Sequence, residues 1–174
     1  ARPPTDQSSD APKPAFPTLP NDWRPLPDGT GLGYVTAPLD HDVVMAGTAS
    51  ADLQVSATAK DTDLQVTLTE VRPDGQETFV GAGWLRASHR KLDAKRSTET
   101  NPVPTHLSQD AAPIPSGRTV LARVAVFPVV YAFRAGSRLR ITITAPGGDL
   151  PEWRFQTIDD GTTKVSIHRG GSTA

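Results

Sequence analysis

The sequence predicts an all-β protein, a two-sheet jelly-roll β-sandwich. Apolar and polar residues alternate with a period of two, the pattern of strands that bury one face. Eight or nine such short runs are separated by turn signals, and no helix of any length is predicted. A long irregular connection over residues 91–117 favours a crossing between two sheets over an up-and-down barrel. The alternation is clearest in the runs Leu53, Val55, Ala57, Ala59 and Leu64, Val66, Leu68.

Two segments with different composition divide the chain. Residues 1–30 are predicted to be a proline-rich extended leader or interdomain linker, because residues 1–27 are dense in proline and lack periodicity. Within it, Trp23 is expected to pack into a groove on the domain rather than to stack on a ligand. Residues 31–174 are predicted to form the jelly-roll domain.

The strands follow in order along this domain. A three-stranded meander is predicted over residues 52–90, with turns at 60–63 and 73–75. Residues 128–136 are predicted to form a compact bend whose Tyr131 and Phe133 fill the core, while Arg138, Arg140, Thr142 and Thr144 are expected to face outwards or into an interface. The other predicted strands are residues 33–36, 43–47, 119–127, 137–144, 153–157 and 163–167.

Composition excludes several functional classes. The chain has 174 residues, enough for one ordinary domain, and no cysteine, which excludes disulfides, thiolate metal sites and a cysteine nucleophile. A formal net charge of −1 gives no long-range field to attract nucleic acid or an anionic membrane. No run approaches the ~18 apolar residues of a membrane span. We expect a soluble protein, either cytoplasmic or exported.

Nucleophile and metal motifs are not found. No Gly-x-Ser-x-Gly pentapeptide occurs, and the histidines never have the i, i+2 or i, i+4 spacing that aims two imidazoles at one metal. We therefore predict no catalytic residue, cofactor or metal. The serines and histidines considered are Ser50, Ser56, Ser88 and Ser137, and His41, His89, His106 and His168.

Two acidic turns and two tryptophans keep alternatives open. The Asp61-Thr62-Asp63 and Asp159-Asp160-Gly161 turns carry oxygen ligands suited to calcium, but these residues also bond their own backbone in ordinary turns. Trp84 and Trp153 are the candidates for a sugar platform. The alternative functions are therefore a free-standing carbohydrate-binding module or a purely structural, adhesive β domain.

Four motifs, in this order, resemble the C-terminal domain of the X-Pro dipeptidyl-peptidase and cocaine-esterase-like (CocE/NonD) serine hydrolases. They are the Asp61-Thr62-Asp63 turn, the hairpin Glu70-Val71-Arg72-Pro73-Asp74-Gly75, the strand end Gly83-Trp84-Leu85-Arg86-Ala87-Ser88-His89-Arg90, and the segment Ala132-Phe133-Arg134-Ala135-Gly136-Ser137-Arg138-Leu139-Arg140. The resemblance covers residues 34–167 and depends on all four motifs together.

The resemblance implies a galactose-binding-domain-like jelly roll that follows an α/β-hydrolase domain. That catalytic domain, absent from this chain, would carry the Ser-Asp-His triad, and the β domain would pack on it and help shape its substrate cleft. Because the chain ends near the family's last strand, we also expect an open sheet edge that could pair two copies in a homo-oligomer. The chain itself is predicted to be non-catalytic.

The acidic turn and the strand end of these motifs are predicted to form a structural or interdomain cluster. Arg86 and Arg90 end a strand where their guanidinium groups could bond carboxylates in bidentate fashion, and the Asp61 and Asp63 turn supplies those carboxylates. The predicted cluster comprises Asp61, Asp63, Trp84, Arg86, His89 and Arg90.

Overall fold

The computed structural model describes residues 29–147, 158 and 161–169. The predictions for residues 1–28, for the strand at 153–157 and for Asp159 and Asp160 lie outside the described residues. Within the described part, strands form two antiparallel sheets and the helices are single 3-10 turns, Ala87–His89 and Ser108–Asp110. The strands are β1 Gly31–Val35, β2 Val43–Ala57, β3 Asp63–Val71, β4 Glu77–Arg86, β5 Val120–Phe133, β6 Arg138–Thr144 and β7 Val165–Ile167.

The sheets pack face to face around a shared core. Sheet 1 has the strand order β1-β6-β3-β4, and sheet 2 has the order β5-β2-β7. The segment between β4 and β5 crosses from sheet 1 to sheet 2, as the long connection predicted. The all-β, two-sheet sandwich is thus confirmed. The main core draws side chains from both sheets: Leu53, Val55, Ala122, Val124 and Val126 from sheet 2, and Leu64, Val66, Leu85 and Ile143 from sheet 1.

The predicted three-stranded meander is wrong in its first strand. β3 pairs with β4 along residues 63–71, but β2 belongs to the opposite sheet and pairs with β5. The connection between β2 and β3 is held at this crossing, because the Ile114 N–H donates to the Lys60 carbonyl over 2.7 Å. Alternation determines which face of a strand is buried and does not determine which strand lies beside it.

β2 and β5 are long, continuous strands, whereas the sequence predicts two shorter segments in place of each. They pair from Val43 opposite Phe133 to Val55 opposite Val120, with a β-bulge between Gly47 and Ala49. Pro128, which has no N–H to donate, lies opposite this irregularity, so it interrupts the ladder without ending the strand. The predicted bend at 128–136 is therefore wrong, because the proline marks a bulge.

The far end of this pair encloses a second, smaller core. Phe133 is fully buried there with Leu68 and Val80, and Tyr131 packs against them, its ring 5.0 Å from that of Phe133. The prediction that Tyr131 and Phe133 fill the core is confirmed.

β3 is buried on both faces, whereas the alternation predicted one wet face. Gln65, Thr67 and Thr69 point away from the main core and are nevertheless buried. Gln65 accepts a hydrogen bond from Trp84 Nε1 over 2.9 Å and donates to Thr67 Oγ1 over 3.1 Å, so the polar row satisfies its own hydrogen bonds. Thr144 of β6, expected to face outwards or into an interface, is buried beside this row.

Gly83 lets the two sheets approach closely where β4 meets β5. A Cβ at this position would lie 1.8 Å from the Ala125 carbonyl oxygen, so a side chain has no room there. At Gly83 the requirement is close contact between β4 and β5.

Candidate functional site

Asp63 and Arg86 form a bidentate ion pair at the start of the β3–β4 hairpin. The two residues are directly opposite in the ladder. Arg86 Nε donates to Asp63 Oδ1 over 2.8 Å, and Nη2 donates to Oδ2 over 2.9 Å. The hydrogen bond to Asp63 raises the pKa of the Arg86 guanidinium above its ordinary value. This is the fork geometry that makes an arginine–carboxylate pair strong and directional.

Asp61 does not join this ion pair. Its Oδ1 accepts from the backbone N–H of Thr62 over 2.9 Å and from that of Ser88 over 2.8 Å. The carboxylate therefore ties the β2–β3 connection to the 3-10 turn that follows β4. Aspartate commonly bonds nearby backbone in this way.

Arg90 bonds backbone carbonyls, where the sequence had suggested a carboxylate partner. Its guanidinium donates to the carbonyls of Ala87 over 3.0 Å, of Ala112, and of Pro113 over 3.3 Å. The physical reason is that β4 ends at Arg86 and the 3-10 turn redirects the chain before Arg90. The side chain is thus aimed at the β4–β5 connection and holds that segment against the turn.

A cavity of about 240 Å³ lies beside the ion pair. His89 and His106 face each other there, with their ring centroids 6.0 Å apart. His106 was not predicted at this site because 16 residues of irregular chain separate it from His89; its left-handed backbone, with φ of 53°, belongs to a turn that gives no clear sequence signal. The lining residues are Asp63, Leu64, Trp84, Leu85, Arg86, His89, His106 and Pro146.

In the described part of the chain, Ser56 and His168 form the one serine–histidine contact that resembles a hydrolase dyad. Ser56 Oγ lies 2.7 Å from His168 Nε2, although the two residues are 112 positions apart in sequence. A working nucleophile also needs a group that orients the base and donors for the oxyanion. Within the described residues no carboxylate hydrogen bonds to this histidine, and the pair lies at the β2–β7 edge. It has the geometry of a surface hydrogen bond.

Two buried carboxylates outside the predicted cluster, Glu70 and Glu77, are fully engaged. Glu70 accepts from Tyr131 Oη over 2.6 Å and from the Arg134 N–H over 3.0 Å. Burial alone would raise the pKa of Glu70, but these hydrogen bonds outweigh it and the pKa lies below its ordinary value. Glu77 accepts from Arg140 Nη1 over 3.1 Å. Both carboxylates brace strands, and neither is free to act as an acid or base.

The described residues provide neither a metal-binding cluster nor a membrane-spanning helix. No group of three or more His, Asp or Glu side chains there is placed to hold a metal ion. Asp61 and Asp63, considered as calcium ligands, already bond the backbone and Arg86. No helix in the described ranges is long and apolar enough to span a bilayer.

Comparison with known proteins identifies the family. The sequence profile described as the X-Pro dipeptidyl-peptidase C-terminal non-catalytic domain matches residues 5–165. The chain belongs to this family. The resemblance found in the four sequence motifs is thereby confirmed.

Relatives of this X-Pro dipeptidyl-peptidase C-terminal domain are much longer proteins. Proteins named as serine esterases from Mycobacterium bovis and Mycobacterium tuberculosis are each 34% identical over 148 residues, which is 84% of this chain and 23% of the relative. The cocaine esterase of a Rhodococcus species is 40% identical over 73 residues, covering 41% of this chain and 13% of that protein.

Solved structures show the same fold. A CocE/NonD family hydrolase from Staphylococcus aureus superposes with a TM-score of 0.62 at 23% identity, over 68% of this chain and 25% of that one. An α-amino acid ester hydrolase gives a TM-score of 0.52 at 22% identity, over 67% and 18% of the two chains. The family domain therefore spans about a quarter or less of the hydrolases that contain it.

Proposed function

We propose that this chain is the non-catalytic C-terminal β-sandwich of an α/β-hydrolase of the X-Pro dipeptidyl-peptidase or acyl-esterase type. In this proposal it packs on the catalytic domain and helps shape the substrate cleft. The observation that carries it is the match of residues 5–165 to a non-catalytic domain family whose serine esterase relatives have 23% of their length in the matching region.

The hydrogen bonding of the buried carboxylates favours a structural role for this chain. The buried carboxylates Glu70 and Glu77 are engaged by tyrosine and arginine donors, and Asp63 is held by Arg86. Groups fixed in this way stabilise a rigid frame and are poorly suited to exchange protons with a substrate.

The cluster around the cavity is proposed to face the neighbouring domain. Asp63, Arg86 and Arg90 fix the strand end and the connection after it, while Trp84 and His89 line the cavity. Such a braced concave surface can receive a loop of the catalytic domain without losing its own shape.

Hydrolysis assays test the proposal. The isolated chain and the full polypeptide that carries it are assayed against p-nitrophenyl esters and X-Pro p-nitroanilides. We expect turnover by the full polypeptide and none by the isolated chain. Turnover by the isolated chain that Ser56→Ala abolishes would overturn the non-catalytic assignment, because it would make the Ser56–His168 pair a working dyad.

A homo-oligomer through a sheet edge is a further part of the proposal. In the described part of the chain β1 and β4 are the edges of sheet 1, and β5 and β7 those of sheet 2. Unpaired edge amides and carbonyls are ready to pair with a second copy. Sedimentation equilibrium of the isolated chain tests this: a concentration-dependent dimer is expected, and a monomer at all concentrations would contradict it.

The carbohydrate-binding alternative has one supporting observation. Trp84 lines the cavity next to the Asp63–Arg86 pair and contacts Phe127, with ring centroids 5.5 Å apart. The two rings are tilted by 55°, so they do not present a flat platform. Glycan-array binding that is lost in Trp84→Ala would favour this alternative, and an array without signal would remove it.

A further inference from the structure

The β2–β5 pair carries an exposed apolar block on the outer face of sheet 2. Val44 is opposite Ala132 and Ala46 is opposite Val130, and all four share the face that points away from the core. Val44 is 67% exposed and Val130 80% exposed. Phe127, 58% exposed, lies on the same strand as Val130, at the bulge. We call these residues the apolar block: Val44, Ala46, Phe127, Val130 and Ala132.

Beyond the bulge the same face of the same strands is polar. We call residues 49–55 and 120–126 the polar half of the pair, and residues 43–47 and 129–133 the apolar half. In the polar half Asp52 is directly opposite Arg123 and bonds it, with Nε 2.9 Å from Oδ1. Leu121, 47% exposed, is opposite Gln54 on this face. Single exposed leucines of this kind are ordinary, whereas a contiguous block is not.

The sandwich does not require the apolar block. The inner side chains of the apolar half, such as Phe133 and Tyr131, already fill the second core. The outer side chains add nothing to that core, and their exposure costs solubility. Contiguous exposed apolar surface on a folded domain is typical of a contact with another protein surface.

Charged pairs border the block. At one end Arg134 Nη1 donates to Asp42 Oδ2 over 2.7 Å, and at the other lies the Asp52–Arg123 pair. An apolar centre with a polar, partly exposed rim is the usual composition of a protein–protein interface. Phe127 extends the surface towards Trp84 and the cavity of sheet 1 through their ring contact.

We propose that the apolar block is the surface through which this sandwich docks on the hydrolase domain of its own polypeptide. The proposal rests on the proposed function and adds the main docking face, on sheet 2, which continues through Phe127 towards the cavity that is also proposed to face that domain. The relatives explain the choice of partner: the serine esterases have 77% of their length outside the matched region, so the covering surface is in the same chain. A block on a hydrogen-bonded pair of strands is held in place by the ladder and is therefore preorganised for such a contact.

Cysteine labelling tests the proposal, because the chain contains no cysteine of its own. Val130→Cys places a thiol in the apolar block, and Leu121→Cys places one on the same strand and face in the polar half. Maleimide labelling at each position is followed by peptide mass spectrometry in the isolated chain and in the full polypeptide. We expect Val130→Cys to label at least tenfold more slowly in the full polypeptide, and Leu121→Cys to label at equal rates in both.

Each other outcome overturns a stated part of the account. If the full polypeptide has hydrolase activity and Val130→Cys labels as fast there as in the isolated chain, docking occurs elsewhere and this proposal is wrong. If the slower labelling of Val130→Cys in the full polypeptide disappears on dilution, a second copy covers the block and the hydrolase domain does not. If the full polypeptide contains no hydrolase segment, the proposed function fails, and this proposal fails with it.

Discussion

The two halves of the β2–β5 pair differ on one face only. On the inner face both halves bury apolar side chains, the polar half in the main core with Val55 and Val124 and the apolar half in the second core with Phe133. On the outer face the polar half carries an ion pair between Asp52 and Arg123, and the apolar half carries exposed valines. Folding explains the shared inner pattern, so the outer difference calls for a functional explanation.

The bulge at Gly47 separates the two halves. It interrupts the ladder between Gly47 and Ala49, opposite Pro128, and increases the local twist. Because a bulge generally increases strand twist, we expect the outer faces of the two halves to be turned relative to each other. One half can meet a second domain while the other stays in solvent.

The largest expected effect comes from the second core. Phe133→Ala should lower the free energy of unfolding by about 3–5 kcal/mol, the usual cost of removing a buried phenylalanine ring. Val55→Ala, at an equally buried site in the polar half, is the matched control and should cost about 2 kcal/mol, since two buried methyl groups are lost. Urea unfolding measures both. A loss below about 1 kcal/mol for Phe133→Ala would show that the apolar half does not depend on its core.

Glu70 should contribute the next largest effect. Glu70→Gln weakens the charge-assisted bonds from Tyr131 Oη and the Arg134 N–H at the end of the apolar half, and should cost about 1.5–3 kcal/mol. Tyr131→Phe, which removes only one donor, should cost less. Equal stability of Glu70→Gln and the parent chain would mean that the charge of Glu70 does not stabilise the apolar half.

The same residue predicts a pH dependence. Because the folded pKa of Glu70 lies below its ordinary value of 4.5, its contribution is fully present above that value and is lost as the pH falls through the lower folded pKa. Unfolding of the parent and of Glu70→Gln, compared between pH 7 and pH 3, should therefore show the difference between them shrinking in acid. A difference that grows in acid would reverse the sign and contradict the assignment. The Tyr131 hydroxyl, whose pKa burial and the Glu70 hydrogen bond raise to about 12, stays protonated throughout this range.

Gly47 tests the boundary between the halves. Its φ of 123° lies in a region that side chains rarely adopt, and an added Cβ would meet no atom within 4 Å. Gly47→Ala should therefore cost on the order of 1–3 kcal/mol from backbone strain alone. Thermal unfolding checks this, and an unchanged melting temperature would mean that the bulge tolerates a side chain.

The smallest effect is expected in the polar half. Asp52 and Arg123 form an ion pair that is partly exposed, so Asp52→Asn should cost about 0–1 kcal/mol. A double-mutant cycle with Arg123→Gln isolates the coupling energy of the ion pair. That energy should decrease in high salt. A coupling energy well above this range would mean that the ion pair is a major source of stability. The polar half would then differ less from the apolar half than this account predicts.

The sequence predicts the positions of strands and their buried faces better than it predicts which strands pair. Alternation correctly placed Leu53, Val55, Leu64 and Val66 in the core, because it reflects burial directly. It could not show that β2 leaves its neighbour β3 for the other sheet, since pairing depends on where the chain crosses. Gly47 and Pro128 were interpreted as strand ends, because a bulge and a turn use the same residues.

The site was predictable only where its residues are close in sequence. Asp63 and Arg86 meet because a hairpin places them opposite each other, and the motif that contains them was recognised. His106 reaches the cavity through an irregular segment, and His168 reaches Ser56 across 112 residues, so neither contact has a local pattern. The partners of Glu70 also have no local pattern, because Tyr131 lies on the distant strand β5 and Arg134 directly follows that strand.

The most direct test of the account introduces a charge into each half in turn. Val130→Glu and Leu121→Glu are both surface changes that should leave the melting temperature of the isolated chain nearly unchanged. In the full polypeptide, where burying an unpaired charge at a contact is costly, Val130→Glu should lower the temperature at which hydrolase activity is lost by several degrees, and Leu121→Glu should not. Equal inactivation of the two variants would contradict the claim that the apolar half is the docking face.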